Sequence, residues 1–569
     1  MSLQYDIYDC SFDDCENVEF YRPDGLHPIH LEDKLHDDRY TVLHKLGYGS
    51  ASTVWLARDH VQKEYVALKV LSAIATRHFR EVDIQNALRH RTGPTLHHSI
   101  TKILNSFNVQ GPNGKHLCVV FELIGPSLAT LRDNFKIRPP VLRKLCQQLV
   151  CVLAHLHNND IAFGDLSTSN ILLRLKNLSS YSTEELLEML GTPVSHPVSM
   201  NEGKEEHKDS APKECYPPVN FDDIDTSLLE PKIALTDLNE AVDLQTQSTI
   251  NSREKQDAIN PSYASPEWFF RVDTKHTKAG DIWSLACCLF EMRTNTQLLA
   301  GMFGCDASQY LDLLGQVPEQ WLARIRENAD EDPFAGIDPD EVKDGEDTLK
   351  QKLETVGDWS PWHTMTREER INWLTDRYGE EHVMGPDFNL EEEISCGPPP
   401  PARLSDEEFA DFYDLLSQML RYLPEDRIAI NKILQHPWLN KDYTDLDPPA
   451  EWISTYEFGR DTRQAVLNMS DLEDMYGEDD DDEDAVTAAD SDENVNVEIE
   501  IPQDEDIQGQ RLVSEYFPIT KRLGLSLPKI DYDSETTSNS DYDGQTLATD
   551  TEHTADLCKA EEARTTLTS

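Results

Sequence analysis

Phe163-Gly-Asp-Leu-Ser-Thr-Ser-Asn170, followed at once by Ile171-Leu-Leu173, sets an Asp and an Asn five residues apart on a loop between a helix and a short apolar strand. That arrangement suits a proton acceptor, Asp165, and an oxygen ligand for a cation, Asn170. Upstream, Leu142, Leu145, Leu149, Leu153 and Leu156 recur at spacings of three and four, the stripe of an amphipathic helix. Downstream, Ile233-Ala-Leu-Thr-Asp237-Leu-Asn-Glu-Ala241 places a second Asp at a strand end. Each piece alone also reads as a turn Asp, a capping Asn or a strand-ending Asp. Their order and company carry the information.

Ahead of the helix the chain runs in short strand-like segments. Tyr40–Leu46, Thr53–Ala57, Tyr65–Val70 and Leu117–Phe121 are β-branched or aromatic and are parted by Gly or charged turns. Between the first two, Leu46-Gly-Tyr-Gly-Ser-Ala-Ser-Thr-Val54 sets Gly47 and Gly49 in a hairpin whose N–H groups can approach phosphate oxygens without a Cβ in the way. A plain glycine hairpin has the same signature, and the strand that follows excludes a dinucleotide fingerprint, which needs a helix there. Lys69, in Val66-Ala-Leu-Lys69, lies among apolar strand neighbours. Its ammonium either snorkels outward or pairs with Glu81 or Asp83 of Arg80-Glu-Val-Asp-Ile84 and points at phosphates. Asp281 to Met292 is apolar nearly all round behind its Asp, the pattern of a buried helix. Strands first and helices later predict an α+β, two-lobed body.

Charge narrows the function. The 569 residues carry 51 Lys+Arg against 106 Asp+Glu, a net charge of −55. Nucleic acid backbones and anionic membranes repel such a chain, so neither is an expected partner. The longest apolar run, around Ile282 to Phe290, falls well short of the ~20 residues that span a bilayer. Hydrophobic residues make up 38%, low for a chain packed throughout. Between Asp471 and Asp506 there are 18 acidic residues and no basic one, which predicts a disordered acidic C-terminal tail from about 471. Asn201–Lys213 reads as a polar loop or spacer. The N-terminus lacks the basic and apolar regions of a signal peptide. Eleven cysteines without a C-x-x-C pair read as reduced thiols of a protein of the cytoplasm and/or nucleus, with no zinc site expected.

The glycine hairpin, Lys69, the Asp165–Asn170 loop and Asp237 follow one another in the order of the protein-kinase phosphotransfer set. Ser265-Pro-Glu267, Asp281-Ile-Trp-Ser284 and Arg427 ahead of His436-Pro-Trp438 extend that order. The chain resembles eukaryotic protein kinases from Tyr40 to Leu439. Within them it is most similar to the SR-protein kinase family and its fungal relatives. Tyr21-Arg-Pro-Asp-Gly-Leu-His-Pro28 with Asp33, Gly47-Tyr-Gly-Ser-Ala-Ser-Thr-Val-Trp-Leu56 and Leu313-Leu-Gly-Gln-Val-Pro318 carry that likeness, as does the spacer between catalytic loop and Asp237.

The resemblance implies a two-lobed protein-kinase fold, with a small β-rich N-lobe over residues 40–124 and a large helical C-lobe over 125–439. Residues 1–39 would be an extension, 174–232 a spacer, 306–400 an acidic insert and 440–569 a C-terminal extension. It implies ATP and Mg²⁺ as cofactors and a monomer acting on protein substrates. Leu46, Gly47, Gly49, Ser52, Val54 and Ala67 would enclose ATP, and Glu122 and Leu123 would present backbone groups to the adenine behind Phe121. Lys69 would hold the α- and β-phosphates with Glu81 positioning it. Asp165 would take the substrate hydroxyl's proton, and Asn170 and Asp237 would bind Mg²⁺. Glu267 and Arg427 would be a structural ion pair. Substrates would be basic, Arg/Ser-rich proteins gripped by an acidic groove at Asp306 and Asp312, in a stretch (306–393) with 24 acidic and 8 basic residues. A solvated acidic loop has the same composition.

Several positions depart from the family pattern. Phe163 stands where the family has His, and Gly164 replaces the basic residue that grips a phosphorylated activation loop. Asn239 replaces a Gly at a position where positive φ is expected, which Asn tolerates. Ser167 replaces the Lys that neutralises the transferring phosphate, Ser169 supplies no compensating charge, and Asn260 replaces the Thr that bridges that Lys to the catalytic Asp. Removing one transition-state cation costs about 2–4 kcal/mol by analogy with oxyanion donors, which predicts a slow kinase. The alternative is a pseudokinase, a nucleotide- or protein-binding scaffold with negligible transfer.

Overall fold

The β-branched runs at the start of the body pair into a six-stranded antiparallel sheet of order β1-β2-β3-β4-β6-β5. The strands are β1 (Lys34–Leu35), β2 (Tyr40–Tyr48), β3 (Ser52–Asp59), β4 (Glu64–Leu71), β5 (Ile103–Gly111) and β6 (Gly114–Glu122). The computed structural model describes residues 7–8, 12, 14–93, 96–132, 135–201, 209–221, 224–246, 260–299, 307–329, 348–356, 366–367, 370–372, 375, 403–444 and 453–455. The acidic tail expected from about 471, Asp306 and most of the 306–400 insert lie outside these residues.

Period-two alternation gives the sheet two faces of different use. Val66, Leu68 and Val70 of β4 are buried with Tyr40, Val42, Trp55, Ala57, Cys118 and Val120, which is the N-lobe core. Ala67 and Lys69 point the other way. Register places Val54 opposite Lys69 and Leu56 opposite Ala67, with Val119 and Phe121 opposite the same two residues on β6. Partners share a face, so Val54, Leu56, Ala67, Lys69, Val119 and Phe121 form one surface. After β4 come α1 (Ala73–Thr76) and α2 (Glu81–Thr92), the latter starting with Glu81.

The C-lobe is helical. The leucine stripe becomes α4 (Pro139–Asn158), after the short α3 (Leu128–Leu131) and β7 (Phe135–Ile137). Leu145, Leu149, Val152, Leu153 and Leu156 are fully buried, in one core with Trp283, Leu285, Cys288 and Leu289 of α6 (Lys278–Thr294). No helix among the described residues is long and apolar enough to cross a membrane. The left-handed Asp160 turns the chain from α4 into β8 (Ile161–Ala162) and the 163–170 loop.

Beyond the loop, β9 (Ile171–Leu175) pairs antiparallel with β12 (Leu229–Leu235), Ile171 opposite Leu235. The spacer is therefore an excursion between two paired strands. It leaves at Leu175, returns at Leu229, and keeps the chemical ends of both strands together. Its described part carries regular structure. Helix α5 (Thr183–Leu190) has a complete capping box between Ser182 and Glu185 and buries Leu186 and Leu190 with Leu43, Leu56 and Tyr65 of the N-lobe. A two-residue ribbon, β10 (His196–Pro197) with β11 (Glu214–Cys215), lies beside the N-terminal extension. Tyr8, Cys15, Val18, Tyr21 and Leu26 share a core with Ala211 and Cys215 there.

Candidate active site

Two crossings bring the reactive residues together. The β9–β12 pair ends with the Thr236 N–H donating to the Asn170 carbonyl at 3.0 Å, which sets the 163–170 loop against Asp237. On the facing sheet, Lys69 reaches down from β4, and its Nζ lies 3.1 Å from Asp237 Oδ2. Asp237 takes a left-handed backbone (φ 60, ψ 62), a conformation that costs a non-glycine residue about 1–3 kcal/mol and is concentrated at functional sites. The left-handed residue is thus Asp237, while Asn239, where positive φ was expected, lies in an ordinary turn spanning Leu238–Glu240.

Asn239 has a different task. Its Oδ1 accepts the Arg80 N–H at 3.0 Å. Arg80 is the N-cap of α2 and offers no capping side chain of its own, so Asn239 supplies a cap from the neighbouring loop. This ties the Asp237 turn to the residue before Glu81.

Glu81 is fully buried near Lys69, but the two do not form the direct pair expected of them. The ammonium goes to Asp237, Gln85 donates weakly to Glu81 Oε1 at 3.4 Å, and among the described residues Oε2 has no well-aligned hydrogen bond, although the nearby Leu238 N–H favours the charged carboxylate. Burial and the Asp237 charge push the Glu81 carboxyl up to about 7, against the pull of Lys69. Burial alone would depress Lys69, but the charges of Asp237 and Glu81 outweigh it and hold the ammonium above its ordinary value. Asp83, the competing carboxylate, forms no such contact.

Asp165 is held from two sides. Asn170 Nδ2 donates to its carbonyl at 2.8 Å and to Oδ2 at 3.2 Å. Below it, the buried Asp281 carboxylate accepts the N–H groups of Phe163 and Gly164 at 2.8 and 2.9 Å and bonds His157 Nε2 at 2.8 Å. Phe163 is fully buried in the C-lobe core. Gly164 has φ +86, and a Cβ there would stand 2.7 Å from the Glu240 carbonyl and 3.0 Å from the His276 ring. The chain is glycine here because the segment after Asp237 lies directly against it. Desolvation, then the Asp237 charge, raise the Asp165 carboxyl well above the usual carboxylate range, opposed by the Asn170 hydrogen bond.

The donors present suit a magnesium–nucleotide complex. Asn170 spends its Nδ2 on Asp165, which leaves Oδ1 as an acceptor, and the Asp237 side chain is 40% exposed. Asp165, Asp237, Glu81 and Glu240 crowd one region whose ion-paired cation is Lys69, a negative excess that a hard divalent ion neutralises. A Cβ on Gly47 would meet nothing within 4 Å, and the Gly49 N–H closes the hairpin on the Ser52 carbonyl at 2.8 Å. Leu46 and Leu123 pack against the Leu43, Leu56 and Tyr65 core, while the Glu122 carboxylate turns to Arg174 at 3.2 Å.

The remaining predicted residues divide. Glu267 and Arg427 form a bidentate, buried ion pair. Asp312 sits half-buried on α7 (Ala307–Leu314), close enough to the Lys352 ammonium of α8 (Thr348–Glu354) for the two charges to interact. Ser167 is buried, and its side chain makes no hydrogen bond among the described residues. Asn260 caps its own turn through the Ser262 N–H at 3.0 Å and does not bridge to Asp165. A relay that sequence reasoning missed supports the loop instead. Thr168 Oγ1 bonds the Tyr263 hydroxyl at 2.8 Å, Tyr263 donates to Glu291, and Glu291 pairs with Arg132 at 2.8 Å. The sequence signal for it was Glu291, a lone carboxylate between Phe290 and Met292 in the largely apolar run behind Asp281.

The protein kinase domain family matches residues 40–180 and 224–439, leaving out the core of the spacer. A serine/threonine-protein kinase SRPK of Physarum polycephalum is 28% identical over 327 residues, covering 54% of this chain and 74% of that protein. Protein kinase dsk1 of Schizosaccharomyces pombe is 36% identical over 168 residues, 28% of this chain and 30% of its own length. Human SRSF protein kinase 3 is 32% identical over 184 residues, 30% of this chain and 32% of that protein. Apart from the Physarum kinase, the matched stretches span only about a third of these relatives. With the domain match covering more than half of its length, the chain belongs to the protein kinase family and, within it, is an SRPK-like serine/threonine kinase.

Proposed function

We propose that this kinase transfers the γ-phosphoryl group of Mg-ATP to Ser/Thr hydroxyls of basic, Arg/Ser-rich proteins, as a monomer in the cytoplasm or nucleus. The observation that carries the reading is the convergence of Lys69, Asp165, Asn170 and Asp237 from three separate chain segments. Bound Mg²⁺ and ATP would supply the phosphoryl group and the charge neutralisation. Lys69 would hold phosphate oxygens, Asn170 and Asp237 would ligate the metal, and Asp165 would orient the incoming hydroxyl and take its proton. A carboxyl lifted by burial and by Asp237 suits that last task once a cation lowers the local negative potential. Ser167 adds no charge, so the site relies on positioning more than on electrostatic stabilisation, and a modest rate follows. The net acidity of 306–393 supports a basic substrate by long-range attraction.

Transfer of ³²P from Mg-ATP to an Arg-Ser repeat peptide tests this, with Asp165→Asn alongside. Loss of the general base should lower the rate by about 10²–10⁴-fold. Equal labelling by both proteins, or none by either on this peptide and on a general basic protein, would sink the proposal.

A further inference from the structure

We propose that Asp14, Cys15, His196 and Cys215 bind a zinc-class divalent cation, which staples the N-terminal extension to the spacer outside the catalytic cleft. Ligand atoms of Asp14, Cys15 and His196 all lie within 4.8 Å of one another. Asp14 Oδ2 and His196 Nε2 are 3.2 Å apart, and Phe12 stacks on the imidazole with ring centres at 5.0 Å, which restrains its rotation. The fourth ligand would be Cys215 of the ribbon, whose sulfur lies outside the 4.8 Å group of three and would have to move in as the ion binds. His196 on β10 stands opposite Cys215 on β11, so both side chains project from the same face. Cys15 and Cys215 are both buried in one small core, close enough for their charges to interact.

The donor set decides the metal. Two sulfurs, an imidazole and a carboxylate are the ligands of tetrahedral zinc, whereas Mg²⁺ and Ca²⁺ take oxygen donors. On binding, both thiols lose their protons to solvent as two metal–sulfur bonds form. With the Asp14 carboxylate the filled site carries one net negative charge. Glu16, next to Cys15, pairs with Lys45 in the interior, and Lys45 directly precedes the Leu46–Val54 hairpin. The staple would therefore hold the wall behind the phosphate loop. Spacing could not reveal it, because the two cysteines are 200 residues apart.

The test uses the full chain, purified under reducing conditions, given one equivalent of zinc chloride and passed over a desalting column. Elemental analysis should find about one zinc per chain, and cobalt loading should give thiolate charge-transfer absorption. Cys15→Ser and His196→Gln should each weaken affinity in chelator competition by at least ~100-fold, given the binding energy that four such ligands share. Asp14→Asn, at a carboxylate 48% exposed and therefore safe for folding, should weaken it as well. Cys151→Ser, at an exposed thiol on α4, should leave it unchanged. No retained zinc in folded wild-type protein, zinc held equally by the ligand variants, or a Cys15–Cys215 disulfide in a non-reducing peptide map would each overturn the proposal.

Discussion

Arg427→Met should destabilise the C-lobe by an amount that its hydrogen bonds set. All five guanidinium N–H groups are spent. Nε donates to the Arg421 carbonyl at 3.0 Å, Nη1 to Glu267 Oε1 at 2.9 Å and the Ala279 carbonyl at 2.8 Å, and Nη2 to Glu267 Oε2 and the Tyr422 carbonyl at 3.0 Å. The side chain is 1% exposed, its partner carboxylate 6%, and Trp283 lies under the guanidinium. Methionine fills much of the volume but leaves Glu267 charged, buried and unpaired, a change that costs about 3–5 kcal/mol. At ~2.1 cal/mol/K of unfolding entropy per residue over a body of about 360 residues, that is a fall in Tm of roughly 4–7 °C. Adding Glu267→Gln removes the stranded charge and should recover part of the loss, although three carbonyls still lack their donor. Thermal melts of wild type, both single variants and the double variant measure the coupling. A fall under ~1 °C for Arg427→Met, or a double variant as unstable as the sum of the singles, would refute the assignment of the pair as the main brace.

Asn239→Ala removes the cap on Arg80 and should cost about 1 kcal/mol locally. Because Glu81 opens the same helix, the ATP KM should rise a few-fold in steady-state assays, and Asn239→Gly should behave alike despite restoring the family residue; unchanged ATP kinetics would count against the link. The imidazoles of His27 and His116 are buried with ring centres 4.7 Å apart, and desolvation, helped by the charge of His116, lowers His27 to about 4. A neutral native His that protonates when unfolded gives stability that is complete above the unfolded value near 6.5 and is lost as pH falls from there towards 4, up to about 3 kcal/mol for this group. The Tm of His27→Gln should therefore fall less than that of wild type between pH 7 and 4.5, and parallel curves would contradict it.

Motifs were legible where one local stretch fixes both chemistry and conformation. The leucine stripe of α4, the glycine hairpin and the β4 lysine can be read this way because helix and strand periods are local. Asp165, Asn170 and Asp237 come together for a longer-range reason, the β9–β12 pairing across the spacer, which order along the chain implied without showing the register. Partner choice was not legible. Sequence suggested Lys69 with Glu81, yet the ammonium lies 3.1 Å from Asp237, because which carboxylate wins depends on how elements far apart in sequence pack together. Asn239 shows the same limit: its tolerance of left-handed backbone pointed to conformation, while its use is a hydrogen bond 159 residues back. Only the Asn201–Lys213 stretch of the spacer read as polar, and the packing of Leu186, Leu190, Val219 and Leu228 with Leu43, Leu56 and Tyr65 was not legible because those partners lie on the N-lobe, far away in sequence.

The departures around the catalytic loop make physical sense as a group. A cationic side chain at 167 with its bridging Thr would join charge supply to loop positioning. Here Asn260 is committed to its own turn and Ser167 brings no charge, so neither of these two residues fills the first of those duties. The second is covered by other bonds. Asp281 holds the backbone of Phe163 and Gly164, Asn170 holds Asp165, and the Thr168–Tyr263–Glu291–Arg132 relay braces the loop from below. Gly164 extends the pattern, since the Glu240 carbonyl occupies the space a basic side chain would need to grip a phosphorylated loop. Under the proposed phosphotransfer, a loop held by these hydrogen bonds would have less need of a phosphate to position it. With Lys69 on Asp237 and Asp165 held by Asn170, the proposed transfer would rest on positioning, with one cation fewer to stabilise its transition state.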